Sequence, residues 1–259
     1  MTEQNKSLYS RKAFVESYAR KKHLQKPEQS ILTFLQNNNV SGNMLDIGIG
    51  TGRTTVFFHR QFVEYTGIDY AEEMVNYCNK ALKYSNVRFM HMDARNMKYF
   101  KDNTFDFVFF SFNGIDCIPY KDRETVLNEM MRVLNPCGYF AFSTHNLFYI
   151  PIMFRFTFPK NPLNWIPELK RVKIIREKNP GYEELIMSPY VEIYDGELDF
   201  EAKVIYIDPL SQLKQLEEMG VNNVKVFSFK TGREVPIDTP WNKTRDEWFY
   251  FLCQKTMNG

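Results

Sequence analysis

Leu45-Asp46-Ile47-Gly48-Ile49-Gly50-Thr51-Gly52-Arg53 is the stretch on which the fold turns. A short apolar run, Met44 to Ile47, carries an acid inside it, and glycines at 48, 50 and 52 lead into a helical pattern from about Arg53. Glycine at such places lets the chain bend tightly and brings bare backbone N–H groups against a ligand at a helix start. The triplet is weak alone, so its surroundings decide its meaning. Upstream, Ile31, Leu32 and Leu35 have helical spacing, and Asn37-Asn38-Asn39 stops it. Downstream, Phe62 to Ile68 reads as a second strand, Ala71 to Tyr84 as an amphipathic helix and Val87 to Met92 as a third strand. Phe105 to Ser111 is continuously apolar apart from Asp106, the pattern of a parallel strand buried on both faces. Asp122 to Leu134 places Val126, Leu127, Met130, Met131 and Leu134 on one helical face, and Gly138 to Thr144 is a fifth strand. This alternation predicts βαβ units: a parallel sheet with helices on both faces.

Beyond Thr144 the rhythm breaks. Residues 146–203 hold prolines at 151, 159, 162, 167, 180 and 189 and show no βα period. Regularity returns with Val204 to Ile207, a helix from Pro209 to Met219, and strands at Val224 to Phe229 and Trp248 to Cys253. The expectation is one domain over 1–259, with an N-terminal cap segment at 1–27 and an insertion at 146–203 after the fifth strand.

Composition narrows the function. Lys plus Arg number 33 and Asp plus Glu 31, a net charge of +2, which argues against an electrostatic nucleic-acid binder. The four cysteines are far apart and show no CxxC or zinc spacing, so no metal site is expected and a reducing cytoplasm is the default. Met1 to Arg20 lacks the apolar core of a signal peptide. The most apolar run, Leu147 to Phe158, is interrupted by Pro151 and Arg155 and is too short to span a bilayer. The outlier is an aromatic content of 16%. Part of it belongs to the sheet. Part clusters in the insertion at Phe148, Tyr149, Phe154, Phe156, Phe158 and Trp165, either a lid over an organic acceptor or the inner face of an added layer.

Two further acids follow the glycine loop at regular intervals. Asp69 ends the second strand, placed to accept from both hydroxyls of a ribose, and Asp93 ends the third, where a carboxylate meets an exocyclic adenine amine. Any one of them is equally well a helix N-cap; together with the loop they converge on the carboxyl edge of the sheet. A NAD fingerprint needs its third glycine where Arg53 stands. Gly-x-Gly-x-Gly instead resembles motif I of the class I S-adenosylmethionine (SAM)-dependent methyltransferases. Gly67-Ile68-Asp69-Tyr70 is similar to their ribose motif, His91-Met92-Asp93-Ala94 to their adenine motif, and Phe105-Asp106-Phe107-Val108 through Gly114 to their fourth. Arg132 to Gly138 resembles their R-V-L-K-P-G-G turn, departing from it at Asn135 and Cys137.

The resemblance implies a Rossmann-like seven-stranded, mostly parallel sheet whose last strand is antiparallel. It implies SAM as cofactor, with Asp46 and Gly48, Gly50 and Gly52 at its methionine end, Asp69 and Tyr70 at the ribose, and Asp93 and Ala94 at the adenine. By the same analogy Arg53 braces the loop, backbone near Ser111 receives the ammonium group, and Tyr18 either folds over the cofactor or simply packs.

Methyl transfer from a sulfonium asks mainly for alignment and exclusion of water, with a base only for a protonated acceptor. The candidates lie after the fourth and fifth strands: Asn113, Asp116 and His145, the last a base for an oxygen acceptor or a binder for an amine, unless it is a turn histidine. Cys137 lies in a turn and Cys117 reads as a small core hydrophobe. The basic cluster Lys170, Arg171, Lys173, Arg176 and Lys178 is a solvated face or a recogniser of an anionic group. The expected activity is methylation of nitrogen or oxygen on a small-molecule metabolite. The alternatives are RNA methylation through the basic N-terminus (Lys6, Arg11, Lys12, Arg20, Lys21, Lys22, Lys26) and non-catalytic SAM binding. Nothing in the sequence sets the oligomeric state.

Overall fold

The computed structural model describes residues 11, 15, 16, 19, 23–221 and 223–256. Helix α1 (Lys26–Asn37) starts at a reciprocal cap between Gln25 and Glu28, buries Ile31 and Leu35, and stops where Asn39 turns left-handed at φ 54°. Five parallel strands follow: β1 (Asn43–Ile47), β2 (Glu64–Asp69), β3 (Val87–His91), β4 (Phe105–Phe110) and β5 (Leu134–Asn146). Helices α2 (Thr55–Phe58), α3 (Glu72–Ala81) and α4 (Tyr120–Val133) connect them. The sheet order is β3-β2-β1-β4-β5-β10-β8-β9, where β8 is Val224–Ser228, β9 Glu234–Val235 and β10 Trp248–Gln254. Strand β10 runs antiparallel between β5 and β8, as expected.

Both faces of the sheet are apolar because both are covered. Strand β4 sends Val108 and Phe110 into one core and Phe107 and Phe109 into the other, where Phe107 stacks between Phe58 and Phe62. All four side chains are buried, so the phenylalanine-rich run is sheet filling.

The insertion is a layer with its own core. Helices α5 (Ile150–Met153), α6 (Trp165–Lys178) and α7 (Tyr182–Leu185) precede a hairpin of β6 (Tyr190–Ile193) and β7 (Val204–Ile207). Ile150, Met153, Phe154, Ile175, Leu185 and Tyr206 are among those that bury one another there, together with Cys117 from the main domain. Strand β7 pairs with β6 and, in parallel, with only the last two residues of β5.

Three differences from the sequence-based expectation stand out. Among the described residues the sheet has ten strands rather than seven, the extra three being the hairpin β6–β7 and the two-residue β9. Val204–Ile207 closes the insertion's hairpin rather than following it, because its pairing partner β6 lies inside the proline-rich segment, where no period betrays a strand. The helix expected from about Arg53 begins instead at Thr55 and lasts one turn, after a series of tight turns.

Candidate active site

The three loop glycines all have positive φ: Gly48 65°, Gly50 53° and Gly52 76°. A β-carbon on Gly48 would lie 2.8 Å from the Phe110 ring, so conformation and space both demand glycine there; at Gly52 the near atom is the end of the flexible Leu82 side chain, at 2.4 Å, and the positive φ carries the demand. The loop is tied to β2 by Gly48 N–H donating to the Ile68 carbonyl at 2.8 Å. Above it opens a cavity of about 710 Å³ whose lining includes Gly48, Gly50, Asp69, Tyr70, Asp93, Ala94 and Ser111. A second cavity of about 390 Å³ shares Gly48, Gly50 and Ser111 and adds Asp46, Arg53 and Thr54. Of the cofactor-binding candidates, Gly52 alone among those described lines neither cavity; its role is the turn. Tyr18 lies outside the described residues.

The acids have different surroundings. Asp69 accepts from Gly50 N–H through one oxygen and Ala71 N–H through the other, both at 2.8 Å, and lines the cavity. Burial raises its pKa to about 6. Asp46 is almost wholly enclosed, accepting from Thr54 Oγ1 at 2.5 Å and from the Tyr65 hydroxyl, and burial raises it to about 6 as well. Asp93 is half-buried. Burial pushes its pKa up, but the Arg95 guanidinium at 2.7 Å outweighs that and lowers it; Arg95 also reaches Asp122 at 2.9 Å.

Arg53 has a partner that sequence reading missed. Its guanidinium donates to both oxygens of Glu28, at 2.5 and 2.6 Å, and stacks 5.2 Å over the Phe112 ring. The Tyr250 hydroxyl donates to Glu28 at 2.9 Å, and Ser111 Oγ bonds the same carboxylate. No sequence signal marks Glu28 for this role, which needs α1, the loop, β4 and β10 brought together.

Asn113, Asp116 and His145 also meet. Asn113 and Asp116 flank and form the one-turn helix Gly114–Cys117, and His145 ends β5 beside it. Asp116 accepts from Arg123, Thr144 Oγ1, His145 N–H and His145 Nδ1, the last at 2.9 Å. His145 Nε2 faces the Asn113 amide at 3.0 Å and Glu197 Oε1 at 3.4 Å, and the ring stacks on Tyr206 at 4.6 Å. Burial opposes charge on this imidazole, but Glu197 and Asp116 prevail and hold its pKa well above 6.5. A charged ring donates Nε2–H; turning the Asn113 amide offers it Oδ1, a buried atom with no other partner. All three residues are buried and none lines either cavity. They sit behind the wall formed by Gly114, Cys117 and Ile118.

Glu197 and Asp195 belong to the insertion's acidic stretch (Glu183, Glu184, Glu192, Asp195, Glu197, Asp199 and Glu201), which the sequence offers as a solvated hairpin face; nothing in its spacing points to His145. Together with His145 they offer three ligand atoms within 4.8 Å of one another, a grouping that could hold a cation and that cysteine spacing could not reveal. As arranged, Asp195 is instead served by the Tyr206 hydroxyl and Glu197 N–H, and the imidazole supplies the positive charge. Within the basic cluster, Arg171 pairs with Glu168, Arg176 donates to the Phe154 carbonyl and Lys178 to the Phe200 carbonyl. Those three hold the insertion together.

The residues from β1 to the start of β5 match a known family: its description is "Methyltransferase domain", over residues 44–138. The demethylmenaquinone methyltransferase of Staphylococcus haemolyticus is 29% identical over 204 residues, 74% of each chain. Residues 44–138 carry a methyltransferase domain, and the relatives support a SAM-dependent methyltransferase. The fold of the chain is shared with a SAM-dependent methyltransferase from Mesorhizobium loti, at TM-score 0.59 and 16% identity, over 88% of this chain and 98% of that one. It is shared also with the 1,6-didemethyltoxoflavin-N1-methyltransferase of Burkholderia thailandensis, at TM-score 0.58 and 12% identity, over 98% and 87%. The site suits SAM, the methyl donor of this enzyme class. Glycines where a β-carbon would collide give backbone access, and two joined cavities set Asp69 and Asp93 at one end and Arg53 at the other.

Proposed function

We propose that this methyltransferase acts on a nitrogen or oxygen of a small, apolar, ring-bearing acceptor of quinone-like character. The observation that carries this reading is the turn Gly114–Cys117. Its outer side forms the cavity wall, and its inner side holds Asp116 against His145. Bound SAM supplies an electrophilic methyl carbon. The protein's part is to align the acceptor and exclude water. Asp69 and Tyr70 would hold the ribose, Asp93 and Ala94 the adenine, and Asp46, the glycine loop, Arg53 and Ser111 the methionine end. Glu197 is the half-exposed neighbour of His145. An acceptor hydroxyl that enters between the two lets the Nε2 proton pass to the Glu197 carboxylate, and the neutral imidazole then takes the hydroxyl proton at Nε2, with Asp116 and Asn113 holding the ring.

Several features support the acceptor class. The 16% aromatic content and near-zero net charge fit an organic molecule better than a polyanion. The Staphylococcus relative and the Burkholderia neighbour are both named for small-molecule acceptors. The insertion 146–203 follows β5 at the ligand edge, and its core includes Cys117 of the cavity wall, so we assign it acceptor recognition. The segment 1–27 we assign as a cap. Val15 packs with Met74, which lines the cavity, and Arg11 pairs with Glu201 of the insertion at 2.7 Å. Among the described residues no helix is long and apolar enough to cross a membrane. None of the four cysteines forms a disulfide, which suits a reaction in the cytoplasm.

The test is methyl-labelled SAM with a panel of hydroxylated and aminated ring compounds, quinols included, alongside cellular RNA. Label in a ring compound supports the reading; label in RNA alone overturns it.

A further inference from the structure

Ten large apolar side chains stand well exposed among the described residues, and five of them crowd into twelve positions: Phe158, Leu163, Trp165, Ile166 and Leu169. They are 42–83% exposed. Scattered singly they would mean nothing; gathered, they mean a contact surface. The patch is built. Trp165 Nε1 donates to the Pro159 carbonyl at 3.1 Å, the Phe158 ring meets Trp165 edge-on at 5.7 Å, and Thr157 Oγ1 bonds Glu168 at 3.0 Å. Helix α6 turns Val172 and Ile175 inward, while Ile166, Leu169, Lys170 and Lys173 lie on its solvent side. Arg155 and Lys160 are exposed at the other border. The one acid between 155 and 173, Glu168, is paired with Arg171, and Lys173 lies 3.7 Å from Glu177 one turn on, so Lys170, Arg155 and Lys160 carry most of the border's positive charge.

We propose that the tip of the insertion, residues 155–173, docks on the surface of an anionic lipid bilayer. Aromatic and aliphatic side chains ringed by lysine and arginine are what an interfacial anchor presents: the rings enter the headgroup layer, and the cations meet anionic lipid. A second copy of this chain fits less well, because a two-fold contact through the patch would set basic borders against each other. Docking here places the insertion, whose core reaches Cys117 on the cavity wall, between the bilayer and the methyl-transfer site. The inference stands apart from the acceptor assignment, since it concerns protein and lipid alone.

Sedimentation of the full-length protein with vesicles tests it, using phosphatidylcholine alone or with about 30% phosphatidylglycerol. The expected result is binding to the anionic vesicles that weakens with salt and is at least about tenfold lower on the neutral ones. Trp165 emission should shift to the blue on binding, the other two indoles, Trp241 and Trp248, being buried. Ile166→Glu with Leu169→Glu should abolish sedimentation while binding of S-adenosylhomocysteine is retained. Lys170→Glu with Lys173→Glu should weaken sedimentation by roughly fivefold per residue. Wild-type protein left in the supernatant with anionic vesicles would overturn the proposal. So would unaltered binding by the Ile166/Leu169 variant, or a dimer that this variant dissolves with no vesicle binding by the wild type.

Discussion

Glu28 and Arg53, 25 residues apart in the chain, grip each other through two hydrogen bonds of 2.5 and 2.6 Å, and that grip fastens the glycine loop to α1. Glu28 has no exposed surface, and Arg53 keeps only a sliver of its own. Desolvating both charges is expensive, so the pair adds less to stability than its geometry suggests, while breaking it strands a buried charge. Glu28→Ala should therefore cost about 3 kcal/mol in urea unfolding. The double change Glu28→Gln with Arg53→Met should cost less than the sum of the two single ones. Strict additivity would show that the residues are not coupled.

Asp69 ties cofactor affinity to pH. Its folded pKa of about 6 lies above the ordinary 3.8 because burial disfavours the carboxylate. In the free protein its contribution to stability is therefore fully present below pH 3.8 and lost as pH rises through about 6. Ribose hydroxyls need the ionised form as acceptor, so affinity for S-adenosylhomocysteine should fall as pH drops through about 6. Calorimetric titrations between roughly pH 5 and 8 read this directly. Asp69→Ala should weaken binding by tenfold to a hundredfold, about 1.5–3 kcal/mol, and Asp69→Asn should flatten the dependence. Wild-type affinity in the alanine variant would remove Asp69 from the ribose site.

His145 should separate turnover from binding. His145→Ala is expected to lower kcat about a hundredfold or more with S-adenosylhomocysteine affinity within about twofold. Equal activity would leave His145 a structural residue. Glu197→Gln removes a charge that favours the imidazolium, so the acidic limb of the pH–rate profile should move to lower pH. The linked stability follows the same sign. The raised pKa contributes fully below 6.5 and fades as pH passes the folded value, so this variant should lose the contribution at a lower pH than the wild type.

Gly48 and Gly220 share a left-handed backbone, φ 65° and 79°, but only Gly48 has a neighbour where a β-carbon would go. Gly220→Ala should cost the backbone term alone, about 1–2 kcal/mol. Gly48→Ala adds the clash with Phe110 at 2.8 Å and should unfold at a distinctly lower temperature. Equal losses in thermal denaturation would mean that the ring yields freely.

Sequence alone determined what is local or periodic. The βα alternation, the glycine turn and the strand-end acids are written in residues a few positions apart, because a helix or strand must show its buried face at period 3.6 or 2. Hence Asp46, Asp69 and Asp93, and even the grouping of Asn113, Asp116 and His145 at one sheet edge, were legible before any coordinates. Tertiary structure alone decided which distant partners those residues acquire. Glu28 beneath Arg53, and Glu197 and Asp195 beside His145, come from segments whose spacing carries no message, since a hydrogen bond between elements needs proximity and not pattern. The aromatic cluster shows both. Its sequence marked the insertion, but only packing divided it into Phe154, buried in the insertion's core, and Phe158 and Trp165, held outward toward solvent. The apolar gain of burying a ring depends on what covers it, and what covers it is settled only by the fold.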